Sequence, residues 1–186
     1  MIPDSTDARM SPAISNLAKL IRDVPDFPKP GIVFKDITPL LADPAGLALA
    51  VECLAQPFRG MNIDKVVGAE SRGFIFGTAV AQSLSAGFVP VRKPGKLPRP
   101  TVSRSYELEY GENALHLHDD AIQPGETILL VDDLLATGGT VAACAELIAS
   151  LGGKITGIAF LIELAFLKGR EKIDQYPCHA VLRYDD

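Results

Sequence analysis

The stretch that most constrains this chain is Ile128-Leu129-Leu130-Val131-Asp132-Asp133-Leu134-Leu135-Ala136-Thr137-Gly138-Gly139-Thr140. Four apolar residues run without alternation into two adjacent carboxylates, after a turn at Gln123-Pro124-Gly125-Glu126. Such a run reads as a buried parallel strand, because both of its faces are covered. Val141-Ala142-Ala143-Cys144-Ala145-Glu146-Leu147-Ile148 reads as the helix after it. Asp132 and Asp133 then sit at the carboxyl end of a strand, and Ala136 to Thr140 at a helix N-terminus. Open α/β sheets bind their ligands at that edge.

The chemistry of the stretch follows from its residue types. Glycines let backbone N–H groups approach an anion closely, and the helix dipole adds favourable potential. Thr137 and Thr140 add hydroxyl donors, so Ala136, Thr137, Gly138, Gly139 and Thr140 make a phosphate cradle. Carboxylates cannot face a phosphate without repulsion, but ionised Asp132 and Asp133 accept hydrogen bonds from hydroxyls. A phosphate next to a diol is a sugar phosphate. The alternative is a tight βα turn with Asp for solubility. A P-loop is excluded here because no Lys follows the second Gly.

The rest of the chain alternates β and α patterns. Ser11-Pro12 starts a helix carrying Ile14, Leu17, Ala18 and Ile21, which ends before Val24-Pro25. Residues 26–39, with three prolines and a glycine, read as an irregular ordered segment. Asp43-Pro44 caps a helix whose apolar face is Leu47, Val51 and Leu54. Asp64 to Ala69 is a strand, followed by the small polar loop Glu70-Ser71-Arg72-Gly73 and a helix from about Phe74 to Leu84. This loop repeats the plan of the first one, now with a cation beside a glycine, and suits a second anion. After the strand Phe88 to Val91, the run Arg92 to Pro100 is too rich in cations, Pro and Gly to be core. Thr101 to Glu109 and Asn113 to His118 form a hairpin about Tyr110-Gly111-Glu112, a candidate lid. Lys154 to Ile162 is another buried strand, Glu163 to Arg170 a short helix, and Ala180 to Arg183 a last strand. The alternation implies an α/β, doubly wound, mainly parallel five-stranded sheet with flanking helices.

Composition narrows the functions. The 186 residues suit one domain, taken as 1–186, with a sizeable core. A net charge of −5 with no long basic run argues against nucleic acid as a partner. No apolar run reaches the roughly 20 residues of a membrane span, and the N-terminus shows no secretory signal. Cys53, Cys144 and Cys178 have neither CxxC nor metal spacing and read as reduced thiols of a cytoplasmic protein. His116, His118 and His179 have no nucleophile partner in sequence and read as structural.

Val131 to Thr140 resembles the phosphoribosyl-diphosphate (PRPP) signature of the type I phosphoribosyltransferases. The resemblance runs on through Phe27 to Ile37, Ser71 to Phe74, Arg92 to Pro98, Tyr106 to Gly111 and Leu167 to Arg170, in the order found in the adenine-specific members of that family. It spans roughly residues 12 to 184 and implies transfer of the 5-phosphoribosyl group from PRPP to adenine, giving AMP and pyrophosphate. The alternatives are another purine as acceptor, or a non-catalytic regulator that senses PRPP or purines.

The resemblance also assigns roles. Asp132 and Asp133 would hold the ribose hydroxyls and Ala136 to Thr140 the 5-phosphate. Arg72, helped by Lys93, would bind the pyrophosphate, and the Glu70–Ser71 peptide would be cis. A basic residue common in relatives is replaced by Pro94. A small hood, mainly residues 24–40, would cover the base: backbone groups of Val33 and Lys35 read its edge, Phe34 stacks on one face and Leu164 packs on the other. A backbone carbonyl facing adenine's amine would reject the oxygen of guanine or hypoxanthine. Glu109, on a mobile lid of about residues 94–118, would do the acid/base work. Mg²⁺ would bind mainly through PRPP, pyrophosphate and water, with no protein ligand named. A homodimer is implied by resemblance alone.

Overall fold

The computed structural model describes residues 12–107 and 112–186. Its elements, in chain order, are α1 (Pro12–Lys19), β1 (Arg22–Pro25), β2 (Val33–Asp36), α2 (Thr38–Ala42), α3 (Pro44–Ala55), β3 (Lys65–Ala69), α4 (Gly73–Ser83), β4 (Gly87–Val91), β5 (Thr101–Glu107), β6 (Glu112–His118), β7 (Thr127–Leu135), α5 (Gly139–Ser150), β8 (Lys154–Leu164) and β9 (Cys178–Tyr184). Five of the strands form one parallel sheet in the order β4-β3-β7-β8-β9. From β3 the chain steps one way to β4, and from β7 it steps the other way to β8 and β9. The switch point therefore lies between β3 and β7, where such sheets open a crevice at their carboxyl edge.

Both faces of the sheet are covered, which is why its strands are apolar without alternation. On one face Val66, Leu129, Val131, Ala159 and Leu161 pack with Leu17 of α1, Leu54 of α3 and Phe76 and Val80 of α4. On the other, Ile128, Leu130, Ile158 and Phe160 pack with Leu147 and Ile148 of α5 and with Leu115 and Leu117 of β6. The β5–β6 hairpin is thus part of this second layer at its base, with Thr101 opposite His118 and Glu107 opposite Glu112. Backbone bonds between Arg92 and His116 fasten it to the end of β4. Gly68 lets α4 start close over β3, since a Cβ there would stand 2.8 Å from the Gly73 carbonyl oxygen.

The structure differs from the sequence reading in three places. β7 does not stop at Val131 but runs through Asp132 and Asp133 to Leu135, because pairing with Phe160, Ile162 and Glu163 continues beside it. β8 likewise extends to Leu164, held by register with Arg183 and Tyr184 of β9, so the expected short helix gives way to two 3-10 turns, Ala165–Leu167 and Gly169–Lys172. Residues 26–39 are more regular than expected: β2 pairs antiparallel with β1, from Arg22 opposite Asp36 to Pro25 opposite Val33, and α2 follows. The connection between β1 and β2 contains a cis peptide at Phe27–Pro28. The capping role of Ser11 and the tip of the hairpin, 108–111, lie outside the described residues.

Asp43 caps α3 as its sequence suggests, accepting the Gly46 amide at 2.6 Å on Oδ1 with Pro44 in the first turn. Replacing Asp43 with Ala is expected to lower unfolding stability by about 1 kcal/mol, with an unchanged urea slope, in equilibrium denaturation.

Candidate active site

The carboxyl end of β7 places Asp132 and Asp133 at the switch point. Oδ1 of Asp132 accepts the Asp133 amide at 2.9 Å. Gly73, the first residue of α4, comes so close that a Cβ on it would stand 2.7 Å from the same oxygen. Asp133 is buried, with 4% of its surface exposed. Its Oδ2 is 3.0 Å from Arg72 Nε. That approach is not aligned as a hydrogen bond, so the oxygen keeps unused acceptor capacity. An orphaned buried acceptor of this kind is rare in proteins and suits a donor brought by a ligand. Burial, and then the neighbouring Asp133 carboxyl, push Asp132 well above the ordinary carboxylate range, against the opposing effect of Arg72. Burial also raises Asp133, again opposed by Arg72. Both carboxyls thus hold their protons more tightly than a free carboxyl.

The cradle follows directly. Gly138 adopts φ 78° as the N-cap of α5 and Gly139 opens the helix, so free amides of the first turn face the cleft. Gly138 is pressed against Gly169, and a Cβ on either would collide with backbone of the other's loop, the Gly169 or Ala136 carbonyl oxygen. Arg170, next in the chain, is fixed by a bidentate pair with Glu163 at 2.8 and 2.7 Å and by the Cys178 carbonyl at 3.0 Å. Thr140 Oγ1 lies 3.3 Å from the Tyr106 hydroxyl, which joins the cradle to the hairpin.

Across the switch point stands the loop after β3, with a cis peptide at Glu70–Ser71. Arg92 Nε donates to Glu70, whose carboxyl is raised by burial but brought below its ordinary value overall by Arg92 and the Lys93 amide. A cleft of about 350 Å³ lies between the two loops. It is lined by Glu70, Ser71, Arg72 and Lys93 on one side and by residues 132–141 on the other. Of the residues singled out from the sequence, Arg72, Lys93, Asp132, Asp133 and Ala136 to Thr140 meet there.

The β1–β2 hairpin, expected as the hood, lies beside this cleft. The Arg72 guanidinium is 5.2 Å from the centre of the Phe34 ring, whose edge partner is Phe27 at 5.1 Å. Val33 is half exposed, at 49%, while Leu164 is buried at the end of β8. The Lys35 side chain points away from the cleft to Asp23. Glu109 lies outside the described residues. The histidines make structural bonds: His116 with Thr101, and His179 with the Cys53 carbonyl. Tyr106 and Gly169 were not singled out as site residues, although both lie in the quoted motifs. Their roles depend on contacts between loops far apart in sequence.

Residues 37–181 match the family described as phosphoribosyl transferase domain. A relative from Koribacter versatilis, named adenine phosphoribosyltransferase, is 53% identical over 97% of this chain and 99% of its own length. The crystal structure of the adenine phosphoribosyltransferase of Rhodothermus marinus superimposes with a TM-score of 0.88 at 53% identity, covering 92% of this chain and 98% of that one. The Saccharomyces cerevisiae enzyme, solved with D-2,5-dideoxy-2,5-imino-altritol 1,6-bisphosphate and adenine, gives a TM-score of 0.87 at 38% identity over 91% of this chain and 98% of that one. The chain belongs to the adenine phosphoribosyltransferase family. Membership in that family agrees with a five-stranded parallel sheet, flanking helices and an antiparallel hairpin.

The carboxyl pair has a consequence for stability. A carboxyl whose proton affinity is raised by folding makes the folded state bind more protons than the unfolded one. Stability then falls as pH rises from the ordinary carboxylate value through the raised folded value. Asp132→Asn removes that loss and keeps the acceptor oxygen. Its melting temperature should match wild type at acid pH and exceed it increasingly as pH rises to neutrality, as read by thermal melts between pH 4.5 and 8.

Proposed function

We propose that this chain transfers the 5-phosphoribosyl group of PRPP to adenine, releasing AMP and pyrophosphate in purine salvage. The observation that carries the reading is one cleft in which an anion cradle, two adjacent carboxyls and a second cationic turn face each other, in a member of this family. The 5-phosphate fits the amides and hydroxyls of Ala136 to Thr140. Ribose hydroxyls fit Asp132 and Asp133, where a donor would satisfy the orphaned Asp133 Oδ2 and favour the ionised form. Pyrophosphate fits Arg72 and Lys93. Adenine fits between Phe34 and Leu164, with its edge read by backbone groups of Val33 and Lys35.

In this reading a ring nitrogen of adenine bonds to the anomeric carbon as the bond to pyrophosphate breaks. The proton lost from the ring passes to Glu109. The chain's own contribution is mainly positioning and stabilisation of charge, since the cradle and Arg72 hold both ends of the sugar while its ring becomes cationic. The donor set fits a metal that enters with the substrate. The cleft offers hard carboxylate oxygens of Asp132 and Asp133 beside the sugar and pyrophosphate positions. Bound through pyrophosphate, ribose oxygens and water, Mg²⁺ would spread the charge of the leaving group.

The same reading takes the protein as a cytoplasmic homodimer. Cys53, Cys144 and Cys178, with neither CxxC nor metal spacing, suit a reducing compartment. Exposed Phe27, Ile32, Ile75 and Phe166 offer apolar surface that an assembly can cover. Light scattering under assay conditions should give twice the chain mass; a monomer refutes the dimer.

The decisive assay supplies PRPP and Mg²⁺ with adenine, guanine or hypoxanthine in turn. AMP is expected from adenine alone. Product from another base instead sinks the adenine assignment, and PRPP binding without turnover on any base points to a sensing role. Asp132→Asn with Asp133→Asn should weaken PRPP binding by at least about tenfold, given the worth of hydrogen bonds to charged groups. Glu109→Ala should slow turnover by about 10²-fold or more with PRPP affinity kept, the range of a lost general acid/base; unchanged turnover removes Glu109 from the chemistry.

A further inference from the structure

The hood hairpin is anchored in an unusual way. From Arg22 to Asp36 every residue is described, and Lys35 is the buried one, with 9% of its surface exposed. Phe27, Ile32 and Val33 are 42–50% exposed and Val24 and Phe34 are only partly buried, so the hairpin buries little apolar surface of its own. A lone two-stranded hairpin is marginal in water. Lys35 Nζ is 2.7 Å from Asp23 Oδ1, its directly opposite neighbour in the hairpin. The same ammonium stands 4.0 Å from the centre of the Tyr184 ring. Tyr184 ends β9, and its register partner across the sheet is Leu164. Burial, then the Asp23 charge, raise the Tyr184 hydroxyl, which stays a neutral phenol.

These contacts make one chain of support. The strand carrying Val33, Phe34 and Lys35 is tied through an ammonium to an aromatic ring. That ring is paired with the residue that forms the opposite wall of the base slot. A buried ammonium without partners is costly, so it resists leaving its carboxylate and its ring. We propose that the Lys35 side chain, with Asp23 and Tyr184, is a latch that fixes the hood over Leu164 and so sets the width of the purine slot. Its side chains do not touch the base; they are positioning residues, and the inference rests on the reading that Val33 to Lys35 and Leu164 receive adenine.

Two measurements on the full chain test the latch, using Tyr184→Leu, Lys35→Met and, as the variant that keeps the ring, Tyr184→Phe. The first is hydrogen exchange of the ligand-free protein. Amides of Val33–Asp36 should exchange about tenfold faster in Tyr184→Leu and Lys35→Met, the scale of one partly buried cation–π contact, while β7 and β8 are unchanged. Tyr184→Phe should behave as wild type. The second is steady-state kinetics: KM for adenine should rise about tenfold in Tyr184→Leu, with KM for PRPP and kcat within about twofold, and Tyr184→Phe should restore it. Unchanged hood exchange, or faster exchange spread over β7 and β8, overturns the latch. Faster hood exchange with an unchanged KM for adenine, or equal rises in both KM values, overturns its part in the slot. If the wild-type protein makes no AMP from adenine, the functional reading falls, and the exchange measurement still decides the latch.

Discussion

Two adjacent carboxyls at the end of the central strand are the constraint to which the rest of the structure responds. Asp133 is almost fully buried and one of its oxygens has no aligned donor. Leaving such a group unsatisfied costs about 1–3 kcal/mol. The strand that carries it can bear that cost because Ile128, Leu129, Leu130 and Val131 are buried on both faces of the sheet, each contributing about 1.5–3 kcal/mol. Helix α4 begins with glycine so that its first turn can approach Asp132, and Arg72 supplies the compensating charge. A strand that ended before the carboxyls would let them swing into solvent. Its continuation to Leu135 fixes them by backbone pairing.

The anion cradle is rigid for a different reason. Its glycines are required by packing between loops as well as by backbone conformation. Gly138 and Gly169 touch through backbone, and no side chain could stand between them. Arg170 then clamps the second loop by its two bonds to Glu163, which also faces Arg183 at 3.8 Å. The sequence Lys168-Gly169-Arg170 thus supports the cradle from behind without lining the cleft. Amides held this way need little rearrangement when an anion arrives, the condition under which fixed dipoles stabilise charge most effectively.

The sheet was legible because its signal is local. Runs such as Ile128 to Val131 and Lys154 to Ile162 are too apolar to be anything but covered strands, and Asp43-Pro44 is a cap in any context. The cradle was legible too, since glycine, threonine and a following helix are close in sequence. Three things were not. Strand length beyond the apolar run depends on the neighbouring strand, so the pairing of Glu163 with Arg183 and Leu164 with Tyr184 could not be read from residues 163–170. The β1–β2 pairing was hidden by prolines that usually break strands; here Pro25 closes an edge strand, where its missing N–H is tolerated. The proton affinity of Asp132 and Asp133 depends on burial and on Arg72, which lies some sixty residues earlier in the chain.

Arg72 also shows why the parts of the site cannot be considered separately. Its Nε faces Asp133 at 3.0 Å, while its guanidinium lies 5.2 Å from the Phe34 ring. One cation therefore faces both the carboxyl end of β7 and the Phe34 ring of the β1–β2 hairpin. The β1–β2 hairpin is tied at two points: Phe34 to Arg72 at the cleft, and Lys35 to Tyr184 at the far edge of the sheet. Alternation along β2 accounts for this, because neighbouring residues in a strand project to opposite faces. A hairpin with exposed apolar residues and one buried lysine has little cohesion of its own, so these two contacts help to fix its position. Recognition of a base edge by backbone groups is useful only if that backbone is held in place, since an amide and a carbonyl have no side-chain freedom to adjust to a displaced partner.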